Sequence, residues 1–179
     1  MSADPAVDLS GVLDTLRDRY AAVLSAHRRA ATGDPAALRG AGRTHRGQAE
    51  RIDRAATDLA DGTLADDWSG PAATAYRRRA GTLGVDLTGC ATTLRRQSDV
   101  LSGAADALES AAAGIDDLRS GFDRQFAELS AAARAVPVEQ VAAVLASARS
   151  VGDAYVAAAG TVTTALGRAL TTLTLPEAT

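Results

Sequence analysis

The chain has 179 residues, of which 46% are hydrophobic but only 3% aromatic, and its formal net charge at pH 7 is −3. So few aromatic residues argue against a compact β-sheet protein, because strands favour aromatic and β-branched side chains. The negative charge argues against general electrostatic binding of nucleic acid, which requires a basic surface. We therefore expect one all-α domain spanning residues 1–179.

Four helical stretches are predicted in chain order, at residues 6–31, 35–65, 71–135 and 137–173. The first carries apolar residues and one histidine at spacings of three and four, which place them on one helical face: Leu9, Leu13, Leu16, Tyr20, Leu24 and His27. "TGDP" ends this helix, since Gly33 suits a helix end, Asp34 can cap the next helix and Pro35 fits its first turn.

The second and third stretches repeat with a period of seven residues. In the second, Leu38, His45, Ile52 and Leu59 lie on one face. In the third, the repeat continues without a gap through Leu87, Leu94, Leu101, Leu108, Ile115, Phe122 and Leu129, with Cys90 in the alternate seam and Gln97 as a polar interruption. This pattern is typical of coiled-coil packing. It predicts a helix-pairing seam of Leu38, Ile52, Leu59, Leu87, Leu94, Leu101 and Leu108.

Several glycines lie within the third stretch and favour a bend in it, because each lowers helix stability by about 1 kcal/mol relative to alanine. The same glycines permit close contact between helices. Whether this helix is one straight rod stays open. Pro137 ends it and is expected to begin the fourth helix, whose apolar stripe includes Val141, Leu145 and Tyr155.

The tripeptide Trp68-Ser69-Gly70 separates the second and third helices. Glycine accepts backbone paths that other residues resist, Ser69 can cap the new helix, and Pro71 suits its first turn. If the chain reverses here, the two heptad faces meet, and the Trp68 ring can cover the open end of the helix pair. The sequence therefore predicts an elongated helical bundle built on a helical hairpin.

The stretch "WSGPAATAY", in which Tyr76 follows the W-x-G letters, resembles the WXG family of helical-hairpin proteins exported by type VII secretion. The resemblance covers roughly residues 34–108, and the additional helices are similar to larger, PPE-type relatives. It implies a non-enzymatic secretion substrate, or a partner that targets one, acting through helix–helix pairing. Its implied partner is another W-x-G hairpin protein or a second copy of itself, with a secretion ATPase reached through that partner.

The family's export signal, Y-x-x-x-D/E, is absent. Tyr20, Tyr76 and Tyr155 are followed four positions later by Leu24, Ala80 and Ala159. The N-terminal residues also lack the apolar region of a signal peptide, and no run of 18 apolar residues predicts a transmembrane helix. We expect leaderless export to the cell envelope or beyond, with a partner chain supplying the signal.

The sequence contains few residues arranged for catalysis or metal binding. The two histidines lie on apolar stripes and are expected to be packed or hydrogen-bonded, and Cys90 is expected to be a buried, inert thiol. Neighbouring carboxylates at Asp66-Asp67 and Asp116-Asp117 diverge by about 100° around a helix, so neither pair converges on one atom. The run Arg77-Arg78-Arg79 is expected to be solvated. We expect that the protein is not an enzyme and that it binds no cofactor, metal or nucleic acid.

Two alternative functions remain at this point. One is a cytoplasmic coiled-coil scaffold in which W-S-G is a coincidental turn. The other is an amphipathic protein that coats a lipid or polymer surface, although the helices mix arginine with aspartate where such proteins are strongly basic. Membrane association is left undecided.

Overall fold

A computed structural model describes residues 9–61, 68–134 and 136–173. Of these residues 93% are helical, and none of them belongs to a strand. The predicted all-α class is therefore confirmed for this part of the chain.

The helices are α1 (Leu9–Ala30), α2 (Pro35–Asp61), α3 (Pro71–Ala133) and α4 (Val141–Thr172), with a 3₁₀ turn at Val138–Gln140. The predicted boundaries at residues 6, 65 and 135 lie outside the described residues. Pro137 differs from expectation, since its extended backbone (φ −61°, ψ 152°) precedes the 3₁₀ turn, and α4 begins only at Val141.

The start of α2 follows the sequence prediction. The Asp34 carboxylate accepts a hydrogen bond from the backbone N–H of Ala37 at 2.8 Å, and the Asp34 carbonyl accepts one from Leu38 at 3.1 Å. Pro35 is the first helical residue, where its missing N–H costs nothing. Aspartate and proline together fix this boundary.

The chain divides into two compact units, which are described separately. Unit 1 contains residues 1–33 and 107–171, so its described helices are α1, the second half of α3, and α4. Unit 2 contains residues 34–106 and 172–179, so it holds α2 and the first half of α3.

Helix directions in unit 1 follow from its polar pairs. Arg17 pairs with Asp123 at 3.3 Å and Arg28 with Asp116 at 3.0 Å, so α1 and α3 are antiparallel. Tyr20 donates a hydrogen bond to Asp153 at 2.7 Å, and His27 lies 3.0 Å from the Thr163 hydroxyl. Because both residue numbers increase together in these two contacts, α1 runs parallel to α4.

The core of unit 1 is centred on Phe122 and Phe126, which are fully buried with ring centroids 4.8 Å apart. Tyr20 and Tyr155 approach Phe122 edge-on, at 6.3 and 6.0 Å. Leu13 is also fully buried in this cluster. Aromatic pairs in such geometry contribute about 0.5–1.5 kcal/mol beyond their buried area. Four of the six aromatic residues of the chain therefore stabilise the core of unit 1.

Glycines form sockets for the larger side chains of facing helices in this unit. A Cβ atom built on Gly121 would lie 2.8 Å from the Tyr155 hydroxyl, and one on Gly152 would lie 2.3 Å from the Tyr20 ring. Neither distance is sterically possible, so only glycine allows these rings to lie against the opposite backbone. Gly121 is one of the α3 glycines that are predicted to permit close contact between helices, and it does so.

Among the described residues, the stretch Val138–Thr172 is long and apolar enough to cross a membrane, by length and composition only. The lack of a continuous run of 18 apolar residues predicts no such helix, whereas mean hydropathy over 18 residues identifies this one. In the structure α4 packs into unit 1 through Ala148, Gly152, Ala159 and Leu166. A mostly buried core helix passes the same composition test, but 11% of this window is buried in the structure.

The Gly152 socket gives a prediction. Replacing Gly152 by alanine displaces the Tyr20 ring, and we expect a loss of about 1–3 kcal/mol in the free energy of unfolding, as is usual for overpacked sites. Gly167→Ala is the matched control on the same helix, because nothing lies within 4 Å of its added Cβ. That variant should gain up to about 1 kcal/mol from helix propensity. Urea unfolding measures both, and equal stability of the two variants would contradict the socket.

Candidate helix-pairing site

Unit 2 is an antiparallel pair of helices tied by ion pairs along one edge. Arg39 pairs with Asp106 at 2.6 Å and Arg46 with Asp99 at 2.8 Å, and Asp53 pairs with Arg95 further along. These side chains are partly exposed, and such surface pairs contribute at most about 1 kcal/mol each. They fix the register of α2 against α3 more than they stabilise it.

The contact between the two helices is made by small residues. The residues buried in α2 are Gly42 and Ala49, and those in the first half of α3 are Ala73, Ala80, Ala91, Ser98 and Ala105. A Cβ built on Gly42 would lie 3.2 Å from the backbone oxygen of Ser98. The two backbones therefore approach closely, as they do wherever glycine, alanine and serine replace larger side chains at a helix interface.

A polar pair accompanies this interface. The His45 Nδ1 atom lies 2.8 Å from the Gln97 side-chain oxygen, and both residues are half-buried. Because that oxygen can only accept, Nδ1 carries the proton. This hydrogen bond explains why a glutamine interrupts the heptad pattern. Together with the His27–Thr163 contact, it confirms that both histidines are hydrogen-bonded.

Six of the seven predicted seam residues belong to unit 2, and Leu108 belongs to unit 1. All seven are half-buried in the structure, namely Leu38, Ile52, Leu59, Leu87, Leu94, Leu101 and Leu108. The fully buried members of the same heptad series are Ile115 and Phe122, which belong to unit 1. The sequence predicts that Leu94, Leu101 and Leu108 are buried, either within the chain or against a partner, and within the chain they are half-buried.

The prediction that Cys90 is buried is wrong. Cys90 was expected in the alternate seam, but its side chain is exposed. Its neighbour Ala91 is fully buried, and consecutive helical residues point about 100° apart. Because the buried face is that of Ala91, Ser98 and Ala105, Cys90 faces away from it.

The W-S-G stretch is defined by Gly70. Its φ angle of +104° is the one positive glycine φ among the described residues. The Gly70 carbonyl accepts the first helical hydrogen bond, from the N–H of Thr74 at 3.1 Å, and Pro71 begins α3. Gly70 thus occupies the helix-capping position that was assigned to Ser69. Residues 62–67, and with them Asp66-Asp67 and the path of the predicted hairpin corner, lie outside the described residues.

Trp68 makes local contacts within the described residues. Its ring packs on that of Tyr76 with centroids 5.6 Å apart, and the Arg77 guanidinium donates a hydrogen bond to the Trp68 carbonyl at 2.8 Å. Trp68 is 38% exposed and Tyr76 41%. The sequence predicts that the Trp68 ring covers the open end of the helix pair. Within the described residues, this ring contacts Tyr76, and the two side chains form a partly exposed apolar patch at the start of α3. Arg78 and Arg79 are exposed, as expected.

Unit 2 also contains an open groove, whose lining includes Arg77, the hydrogen-bond donor to Trp68. It has a volume of about 920 Å³ and is lined from α2 by Asp53, Ala56, Thr57, Leu59 and Ala60, and from α3 by Arg77, Ala80, Gly81, Gly84, Val85 and Thr88. A Cβ on Gly81 or Gly84 would meet no atom within 4 Å, and Val85 is 71% exposed. The groove combines small residues, which admit a close backbone, with uncovered apolar surface.

No group of three or more histidine, cysteine or acidic side chains that could hold a metal ion occurs in the described part of the chain. Asp116 is held by Arg28 at 3.0 Å and serves the packing of α1 on α3. In unit 2, the groove and the apolar patch are surfaces that a second molecule could contact.

The backbone at Gly70 gives a second prediction. Gly70→Ala should cost about 1–2 kcal/mol, because an L-residue resists a positive φ even though space for a Cβ is free. Gly89→Ala is the control, since Gly89 is helical and equally open, and it should stabilise the protein by up to about 1 kcal/mol. Thermal unfolding followed by circular dichroism distinguishes the two. A stabilised Gly70→Ala variant would show that the positive φ is not required.

Comparison with known proteins gives no match: no family model, curated protein or solved structure matches the chain.

Proposed function

We propose that this protein is a non-enzymatic component of a type VII secretion system, a substrate or a targeting partner, that acts by pairing its α2–α3 helices with helices of another chain. The observation that carries the proposal is the open groove of unit 2. It is lined by small residues on both helices and by the exposed Val85. Its lining residue Arg77 donates a hydrogen bond to the carbonyl of Trp68, whose ring packs on that of Tyr76. The W-x-G letters at the start of α3 supply the link to secretion.

The groove is suited to a helix rather than to a polar ligand. Its charged lining groups already have partners, since Asp53 pairs with Arg95 and Arg77 donates to the Trp68 carbonyl. The remaining lining is alanine, glycine, threonine, leucine and valine. An amphipathic helix can place its apolar face in such a groove and gain main-chain proximity at glycine.

The half-buried seam extends this surface. Leu59 lines the groove, and Leu87 and Leu94 are half-buried on α3 beyond it. Covering such surface contributes about 25 cal/mol per Å² of apolar area removed from water. In the proposed complex, the W-S-G hairpin is the corner of a four-helix bundle, and the partner is another W-x-G hairpin protein or a second copy of this chain. That partner supplies a Y-x-x-x-D/E signal to the secretion ATPase.

Filling the groove tests the proposal. Gly84→Leu introduces a side chain into open space, so the fold should be retained while the leucine occupies the partner's place. We expect the affinity for the W-x-G protein encoded nearest to this gene, or for a second copy, to fall about tenfold or more, since forcing methylenes into a packed contact costs about 1–3 kcal/mol. Gly89→Leu is the matched control, because Gly89 is on the same helix, equally open and outside the groove.

The readouts are calorimetric binding and the amount of protein in the culture filtrate of strains with and without a working secretion ATPase. The proposal predicts that export requires the ATPase, that Gly84→Leu reduces binding and export together, and that Gly89→Leu changes neither. Export that is independent of the ATPase, or a protein confined to the cytoplasm in every strain, would contradict the secretion role and favour the scaffold. Equal binding by both variants would contradict the groove as the pairing surface.

A further inference from the structure

Unit 1 contains a second groove, separate from the helix-pairing site. It has a volume of about 500 Å³ and is lined by Gly11, Val12, Thr15, Leu16 and Arg19 of α1 and by Leu145 and Arg149 of α4. We refer to it as the α1–α4 groove. Pockets for small molecules in proteins typically measure about 300–1,000 Å³, so its size suits a small ligand.

The floor of this groove is apolar. Leu16 and Leu145 are half-buried and pack against the core of unit 1, while Val12 is 45% exposed. Thr15 contributes a hydroxyl, but that group donates its hydrogen to the Gly11 carbonyl at 2.8 Å. The floor therefore offers a ligand hydrocarbon surface and no free hydroxyl donor.

One end of the groove is cationic. Since Tyr20 meets Asp153 and α1 runs parallel to α4, Arg149 lies about one turn from the level of Arg19, while Leu145 lies near Val12. The hydrogen bond to Asp153 raises the pKa of Tyr20, and the charges of Arg19 and Arg149 both oppose that rise. The Tyr20 hydroxyl lies 3.3 Å from the backbone oxygen of Arg149, and Arg19 precedes Tyr20 in α1. Both arginines line the groove, and their relation to Tyr20 places them at the same end of it.

The two arginines of the groove favour an anionic ligand. Neither forms an ion pair with an acidic side chain among residues 9–61, 68–134 and 136–173. Asp153, the carboxylate close to them, already accepts the Tyr20 hydrogen bond. Guanidinium groups bind carboxylates through paired, charge-assisted hydrogen bonds.

We propose that the α1–α4 groove binds a single-chain amphiphile with a carboxylate head, such as a fatty acid. The head binds Arg19 and Arg149, and the hydrocarbon tail lies along Leu16, Leu145 and Val12. From Gly11 to Arg19 the groove extends about 12 Å, at about 1.5 Å per helical residue. That length is about two helical turns, too short for the area that stable protein–protein contacts bury, so a small amphiphile fits better than an acidic helix.

Calorimetric titration with decanoate, decanol and dodecanoate, each below its aggregation concentration, tests the proposal. Decanoate should bind with one molecule per chain. Decanol should bind about tenfold or more weakly, because it lacks the charged head that hydrogen-bonds to arginine. Each added methylene that the groove covers should raise affinity about fourfold.

Variants separate the head and tail contacts. Arg19→Gln and Arg149→Gln should each weaken decanoate binding about tenfold and leave decanol binding unchanged. Arg29→Gln, an exposed position on α1 outside the groove, should change neither. Val12→Asp should weaken both ligands, and Val23→Asp, exposed on the same helix, should weaken neither. Thermal unfolding of each variant confirms that the fold is retained.

Three results would overturn the proposal. The first is the absence of decanoate binding to the parent protein. The second is equal decanoate affinity in the parent and in an Arg19→Gln/Arg149→Gln double variant. The third is binding of an acidic amphipathic peptide, with the same arginine dependence, in place of decanoate.

Discussion

The close approach of helix backbones at small residues is the constraint on which this structure depends. In unit 2, Gly42 lies against the backbone of Ser98, and Ala49 and Ala91 are fully buried. In unit 1, Gly121 and Gly152 hold tyrosine rings that any larger residue would displace. A chain with 3% aromatic residues has few large side chains with which to fill space, so it gains dispersion contacts by bringing backbones together.

The same constraint explains the surfaces proposed for function. When alanine and serine form the contact between α2 and α3, the leucines beside them remain half-buried, and glycines beyond the contact leave an open groove. The proposed partner surface is thus a consequence of how the two helices meet. In unit 1, the parallel arrangement of α1 and α4 places Arg19 and Arg149, 130 positions apart in sequence, at one end of an apolar groove.

The sequence predicted what depends on local chemistry. Composition and periodicity gave the all-α class, and aspartate before proline gave the start of α2. The heptad pattern did not identify the buried positions of unit 2, because it weights large side chains, whereas the contact buries Ala91 and Ser98 and leaves Cys90 exposed. Nor could it distinguish Gly84, which lines an open groove, from Gly121, which holds a ring, since both are helical glycines. That difference depends on which helix lies opposite.

The most direct test of small-residue packing compares Ala91→Leu with Leu94→Ala by urea unfolding. Ala91 is fully buried on the face that contains Ser98, and Leu94 is half-buried beside it. The structure predicts that enlarging Ala91 costs about 1–3 kcal/mol or more. Truncating Leu94 should cost less than the lower bound of about 2 kcal/mol seen for fully buried leucines. The opposite order, with a tolerated Ala91→Leu and a severely destabilised Leu94→Ala, would contradict the account.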